Sequence, residues 1–264
     1  MRMLKFNWMD FMPNVTNLIQ FRQLLSDSME NSQGMWILTL NLDVLRQLTS
    51  ENDDEFIKNV CASTTRTADG FPIKYLNQIQ SRAAVERLAG SDIVFDIVEI
   101  SARHKRPIFV AGGQANEAER AATSLMEKYI NSEVTSIELS FGDVGQLTKE
   151  LSECLTVDEF VLMLGAGSLK SEKVIANLIE KYPKATYISC GAAISYMAET
   201  RPRSPKFLII LNMEWLWRFS QEPKRLFVRY FLKDLPFLAT LSIMFSFSMA
   251  KTFLLKTLRH MRAT

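Results

Sequence analysis

The chain has 264 residues, of which 47% are hydrophobic and 23% charged, and a formal net charge of +2. That length buries a good core and accommodates one domain with an appendage, or two small ones. Its three cysteines, Cys61, Cys154 and Cys190, are odd in number and widely spaced, which excludes a disulfide framework and a zinc site and reads as small buried hydrophobes in a reducing compartment.

Met1 to Asp10 holds no uninterrupted apolar stretch of the kind a signal peptide needs, so a cytoplasmic body is expected. Met35 to Leu40 reads as a buried strand, and Asn41 starts a turn into a helix over Leu42 to Leu48. The acidic run Glu51 to Glu55 reads as a solvated helix start. Thr67-Ala68-Asp69-Gly70-Phe71-Pro72 places a carboxylate in a tight turn after a short extended segment. Asp69 there serves as a general base if apolar neighbours raise its pKa. Equally, it is an Asp-Gly turn whose side chain bonds its own backbone. The run Arg87 to Asp92 has the same ambiguity. Gly90 and Ser91 offer backbone donors to a phosphate, or Ser91 or Asp92 caps the next helix.

Pro107 to Ala111 is a second strand, followed by Gly112-Gly113 and a helix from Asn116 to Tyr129. The glycine pair lacks a G-x-G-x-x-G pattern and reads as a turn. Thr135 to Leu139 is a third strand, followed by a helix over Val144 to Cys154. Glu159 to Leu164 is a fourth, ending in Gly165-Ala166-Gly167 and leading to a helix over Lys170 to Lys181. Thr186 to Cys190 is a fifth, ending at Gly191. Strands alternating with helices imply an α/β fold with a mostly parallel sheet covered on both faces. Ligands in such sheets bind beyond the carboxyl ends of the strands. His104 and His260 are the only histidines, and His104 sits in a polar run that reads as solvated.

The pattern changes after residue 200. Pro202 and Pro205 break regular structure, and helices are expected over Lys206 to Phe219 and Gln221 to Lys233, with Ser220 as a cap and Pro223 in the first turn of the second. This last part carries 12 Lys or Arg against 3 Asp or Glu, a net of +9, whereas the preceding part carries 19 against 26, a net of −7. Arg218, Arg225 and Arg229 are interleaved with Trp215, Trp217, Phe219, Phe227 and Tyr230. Arginine forks match phosphate oxygens, and aromatic rings with a polar edge favour a membrane interface. Leu235 to Ala250 carries no charge and is followed by Lys251, Lys256, Arg259 and Arg262. At 16 residues it is shorter than the ~20 of a spanning helix, so a monotopic or re-entrant anchor is expected. Lipid is favoured over nucleic acid as the partner of this tail.

Taken together, several short motifs resemble the WecG/TagA/CpsF glycosyltransferase family. They are T-L-N at Thr39 to Asn41, A-D-G-F-P at Ala68 to Pro72, R-L-A-G-S-D at Arg87 to Asp92, F-V-A-G-G at Phe109 to Gly113 and G-S-L-K-S-E at Gly167 to Glu172. The series closes with R-S-P at Arg203 to Pro205, M-E-W-L-W-R at Met213 to Arg218, E-P-K-R-L at Glu222 to Leu226, and Arg229-Tyr230. They stand in the family's order and span most of the chain.

The resemblance implies a Rossmann-like body over residues 1–200 and a helical, membrane-associating appendage over residues 201–264. It implies an inverting, metal-independent, cofactor-free transfer of a hexose from a UDP-sugar to an undecaprenyl-diphosphate-linked sugar. The setting is surface polysaccharide biosynthesis at the cytoplasmic face of a bacterial inner membrane. Asp69 falls on the family's base, and Thr39 and Asn41 match pocket residues near it. Gly90, Ser91, Asp92, Gly112, Gly113, Gly167, Lys170, Glu172 and Gly191 are expected substrate contacts. Arg218 and Arg225, with Arg229 as a third, are expected to hold the diphosphate.

The chain departs from the family at Leu169 and Ser171, where Pro and Gln are usual, and at Ser195 and Glu199, where Asp and Gly are common. These departures lie on the expected nucleotide-sugar side and lean the donor from N-acetylmannosamine towards a plain hexose such as glucose. Two other readings are of a different class. A catalytically impaired relative that binds lipid-linked intermediates is opposed by Asp69 and the arginines. A Rossmann-like oxidoreductase is opposed by the missing dinucleotide fingerprint.

Overall fold

The computed structural model describes residues 7–81, 84–140, 142–211 and 213–244. The chain divides into two compact units, Met1–Pro205 and Lys206–Thr264. In the first, a 3₁₀ turn at Trp8–Phe11 precedes α1 (Leu18–Glu30), β1 (Met35–Leu40), α2 (Leu42–Thr49), α3 (Asp54–Ser63), β2 (Thr64–Ala68) and α4 (Phe71–Ser81). Then come α5 (Gly90–Arg103), β3 (Ile108–Gly112), α6 (Glu117–Lys128), β4 (Val134–Ile137), α7 (Val144–Cys154), β5 (Val161–Gly165), α8 (Lys170–Lys181), β6 (Thr186–Ser189) and α9 (Ala193–Met197).

The six strands form one sheet in the order β2-β1-β6-β5-β3-β4, and every pairing is parallel. Parallel sheets bury both faces, so their strands read as continuous apolar runs. β1 shows the consequence, because all six of its residues are buried. Successive side chains alternate between faces. Met35 and Ile37 join a core with Phe21 and Leu25 of α1, Ile93 and Ile97 of α5, Ala121 of α6 and Ile194 of α9. The intervening Trp36 and Leu38, also buried, belong to the other face, where α3 packs on α8 and α8 on α7.

The order of the strands fixes where the sheet opens. From β3 the chain turns outward through α6 to the edge strand β4. From its neighbour β5 it turns the other way, through α8 to β6. Adjacent strands with diverging connections create a crevice at their carboxyl ends. The loops there are Gly112-Gly113 and Gly165-Ala166-Gly167.

Five of the six strands lie where the alternation of apolar runs predicts them. β2 is the addition. Its sequence, Thr-Thr-Arg-Thr-Ala, carries no apolar run, yet it pairs with all but the first residue of β1. Arg66 makes up for that polarity. It donates from Nε to Met12 O and from Nη1 to Cys61 O, 3.1 and 2.9 Å away.

Three smaller expectations need correction. His104 is half-buried, and its Nε2 lies 2.9 Å from Ser26 Oγ. α1 packs against α5 and so closes that polar run. Cys190 is buried and Cys61 half-buried, but Cys154 is exposed, because it ends α7. All three are free thiols.

The second unit is described by itself. The helix expected over Lys206 to Phe219 is two, α10 (Lys206–Ile210) and α11 (Glu214–Gln221). The chain opens between them, where Met213 N–H bonds Leu208 O at 2.7 Å. Pro223 occupies the first turn of α12 (Pro223–Phe227), as its missing N–H favours. The Ser220 hydroxyl donates to Trp217 O and does not cap. α12 runs into a π-helical stretch, Val228–Asp234, and helix continues over residues 235–244. No helix among the described residues is long and apolar enough to cross a membrane. Most of the expected anchor, from residue 245 on, lies outside the described residues.

Gly112 has φ +87°, and a Cβ added there would sit 2.6 Å from Gly165 O. Gly112→Ala therefore meets both backbone strain and a backbone clash. It is expected to lose about 2 kcal/mol in urea unfolding; full stability would show that the β3 and β5 loops separate freely.

Candidate functional site

The first cluster forms where β1 and β2 end. Their register pairs Leu40 with Ala68, so Asn41 and Asp69 are the next residues on adjacent strands. Asp69 N–H donates to Leu40 O at 2.9 Å, which holds this half-buried residue against the end of β1. Beyond β2, Leu88 N–H donates to Ala68 O at 2.8 Å. The buried Thr67 hydroxyl donates to Leu88 O at 3.0 Å. These bonds bring the start of α5 to the same edge. Gly90 lies against Thr39, and a Cβ on it would be 3.3 Å from both Thr39 Oγ1 and Cγ2. Thr39, Asn41, Asp69 and Gly90 are thus gathered by backbone bonds alone. Asn41 also caps α2, its Oδ1 accepting from Val44 N–H at 3.0 Å.

Neither Ser91 nor Asp92 caps α5. The cap position is Ala89, extended at φ −75° and ψ 145°, with no side-chain bond. The helix starts at Gly90, so Ser91 and Asp92 fall inside its first turn. Asp92 instead pairs with Arg87 at 3.0 Å and Arg203 at 3.7 Å. Arg203 also donates to Ser91 O and lies 4.6 Å over the Phe95 ring.

The second cluster is the crevice between β3 and β5. Gly113 N–H donates to Gly165 O at 3.0 Å. The β5 loop then folds on itself. Lys170 N–H reaches back to Ser168 O at 2.8 Å, with Leu169 between them at φ +60° and ψ −36°. That is a γ-turn of the strained hand. Ser171 is fully buried, and its hydroxyl accepts from Ala166 N–H at 3.0 Å. Lys170 is exposed and donates from Nζ to Gly142 O at 3.0 Å. Gly167, at φ +102°, and Gly191, at φ +47°, have open space where a side chain would be. Gln47 Nε2 donates to Ser168 Oγ at 3.0 Å, tying α2 and its Asn41 cap to this loop.

Glu172 lies deeper. It is 1% exposed and accepts from Trp36 Nε1 at 2.9 Å. Burial pushes its carboxyl up to about 7, against the pull of the bonds from Trp36 and Ser189. The same burial raises the Cys190 thiol, and the neighbouring Glu172 adds to the shift.

Glu117 gave no functional signal in the sequence, where it reads as an ordinary first-turn acid. It is 4% exposed and sits behind the glycine pair, its Oε2 only 3.0 Å from where a Gly113 Cβ would be. It accepts from Gln114 N–H at 2.9 Å and from the Thr200 hydroxyl at 2.6 Å. Burial would raise its carboxyl, but bonds from Gln114, Thr200 and Ser195 and the nearby Arg201 charge hold it below its ordinary value. Ser195 is thereby engaged inside the protein. Glu199 stands at φ +54°, a conformation that glycine adopts without strain.

In the second unit, each candidate arginine meets an acid of its own segment. Arg218 Nε lies 2.9 Å from Glu214 Oε1, Arg225 pairs with Glu222, and Arg229 Nε lies 3.4 Å from Asp234 Oδ2. The last pair spans five residues, the spacing that π winding aligns. The positive charges of Arg229, Arg218 and Arg225 all act on the Tyr230 phenol, whose pKa burial raises. The three cations are therefore near one another. Tyr230 meets Trp215 edge-on, with centroids 6.2 Å apart.

Among the described residues, no three His, Cys, Asp or Glu side chains are grouped to hold a metal ion. The sequence profile of the Glycosyl transferase WecG/TagA/CpsF family matches residues 9–248. A relative from Bacillus subtilis (strain 168) is 22% identical over 212 residues, 80% of each chain. Its name is N-acetylglucosaminyldiphosphoundecaprenol N-acetyl-beta-D-mannosaminyltransferase.

Glu172 sets a pH dependence of stability. Its carboxyl titrates at about 7 in the fold against 4.5 ordinarily. Its contribution is therefore present in full below about 4.5 and is lost as pH rises through about 7. Glu172→Gln keeps an acceptor for Trp36 without the ionisation. Thermal unfolding from pH 5 to 8 is expected to show a flatter fall of Tm in the variant; parallel slopes would remove Glu172 as the source.

Proposed function

The chain belongs to the WecG/TagA/CpsF glycosyltransferase family, and on that premise we propose that it moves a hexose from a UDP-sugar to an undecaprenyl-diphosphate-linked sugar. The observation that carries this reading is the gathering of Thr39, Asn41 and Asp69 at the carboxyl ends of β1 and β2. A half-buried carboxylate there suits a base that must meet the acceptor hydroxyl within hydrogen-bond reach. The crevice loops of β5 and β3 begin three strands away, about 14 Å at the usual strand spacing. An extended nucleotide-diphosphate sugar covers that span, with its nucleotide at the glycine loops and its sugar towards Asp69. The relative's printed name supports a diphospho-prenol acceptor carrying N-acetylglucosamine.

In this reading Asp69 takes the proton of the acceptor hydroxyl. The acceptor oxygen forms its bond to the anomeric carbon, and the bond from that carbon to the diphosphate oxygen breaks. The electron pair leaves with UDP, and attack opposite the leaving group inverts the anomeric centre. We assign to Arg218, Arg225 and Arg229 the binding of the diphosphate, where a bidentate fork offsets the charge that develops on departure. Release from Glu214, Glu222 and Asp234 frees those forks for phosphate. The sugar is glucose or N-acetylmannosamine, and the chemistry needs no divalent ion. The net charge of +9 after residue 200, with Phe207, Ile210 and Leu232 each at least 60% exposed, supports peripheral attachment to the cytoplasmic face of the inner membrane.

The test is a transfer assay with chelator present, using UDP-glucose and UDP-N-acetylmannosamine with synthetic prenyl-diphosphate-linked N-acetylglucosamine or glucose. Turnover of one donor is expected, with Asp69→Asn lowering it at least 100-fold while UDP binding persists. Turnover by that variant at the wild-type rate would remove Asp69 as the base. Arg225→Lys turns a fork into a point charge. It is expected to lower kcat/KM about tenfold or more; unchanged kinetics would rule out the diphosphate contact.

A further inference from the structure

α4 begins one residue after Asp69-Gly70 and divides its sides sharply. Ile73, Leu76 and Asn77 are buried at 4% exposure or less. On the other side Phe71 and Tyr75 are 52% and 50% exposed. Their rings stack, with centroids 6.0 Å apart and planes 20° from parallel. Two exposed, nearly parallel rings at i and i+4 present a continuous flat apolar surface. Side chains on a helix lean towards its N-terminus, so this surface extends towards the end of α4 that follows Asp69. Lys74 stands between the rings in sequence and is half-buried. Among the described residues its ammonium has no carboxylate partner.

We infer that Phe71 and Tyr75 form the platform on which the sugar of the prenyl-diphosphate-linked acceptor stacks, with Lys74 facing the acceptor's diphosphate. The inference rests on Asp69 acting as the base. A base must lie within hydrogen-bond reach of the hydroxyl it deprotonates, so the acceptor sugar occupies the space beside residue 69. The first ring of the platform is two residues further on. A pyranose offers one face of C–H bonds, which carry slight positive charge, and an aromatic ring offers a negative face. The stack and the cation together complement a sugar joined to a diphosphate. The donor's nucleotide end is served by the loops of β3 and β5, three strands from β2, which leaves this surface to the other substrate.

The experiment measures binding and turnover separately, on the full chain in detergent. Binding of synthetic prenyl-diphosphate-linked N-acetylglucosamine is titrated calorimetrically without donor. Wild type is compared with Phe71→Ala, Tyr75→Ala, the double variant, Tyr75→Phe and Lys74→Met. UDP affinity and far-ultraviolet circular dichroism serve as controls for folding. Each alanine variant is expected to weaken acceptor binding about tenfold, Lys74→Met by a similar factor, and Tyr75→Phe to retain it, with UDP affinity unchanged throughout.

Equal acceptor affinity in the double variant and wild type overturns the inference. So does an equal loss of UDP and acceptor binding, which would report a damaged fold. Loss of sedimentation with anionic vesicles at unchanged acceptor affinity also overturns it and makes the rings a membrane contact. Wild type that binds acceptor through these rings yet turns over no donor would leave the platform standing and count against the transferase reading.

Discussion

A sheet of parallel strands has one edge at which every strand ends, and that constraint organises the first unit. Asn41, Asp69, Gly113, Gly167 and Gly191 are far apart in sequence, yet each lies within two residues of the end of a strand. They share an edge because the strands share a direction. Side-chain chemistry adds little to the gathering itself. Asp69 is held by the backbone of Leu40, Leu88 by that of Ala68, and Gly113 by that of Gly165. Glycine is needed at Gly112 because another backbone passes at a distance no Cβ tolerates, so this site is fixed by close approach as much as by attraction.

Much of this was legible in the chain. α7 and α8 run over the residues that their periodicity and turn signals mark, and β1 is the apolar run that a doubly covered strand requires. β2 escaped the same logic because Thr-Thr-Arg-Thr-Ala is polar. Its place depends on the remote carbonyl of Met12, which accepts from Arg66 and which no local window contains. The break between α10 and α11 carries no Gly or Pro, so local propensity gave no sign of it. The site divided similarly. The positions of Thr39, Asn41 and Asp69 followed from strand ends, whereas the roles of Ser91 and Asp92 turned on a one-residue difference in where α5 starts. Glu117 was invisible because its importance comes from burial and from Thr200, 83 residues away.

The charge asymmetry of the chain also changes character once the pairs are known. The three acids after residue 200, Glu214, Glu222 and Asp234, are each matched to one of the three candidate arginines. Exposed pairs of this kind contribute little stability, but they orient a long side chain. The unbalanced positive charge of the tail therefore belongs to its other cations, while the arginines share their charge with fixed partners. Attraction to a surface and recognition of a ligand are thus carried by different residues of the same segment.

The π-helical stretch Val228–Asp234 has a consequence for how this segment tolerates change. A π turn holds one more residue than an α turn, so the stretch is a place where chain length is stored. Losing one residue there would return the helix to ordinary spacing without touching either end. It would also rotate everything after Asp234 by about 100° relative to what precedes it, and the Arg229–Asp234 pair would no longer meet. The direction in which the apolar helix over residues 235–244 faces is thereby written in a count of residues as much as in their identity. A family varying by single insertions at this point would vary the heading of its C-terminal helix while keeping every side chain of it unchanged.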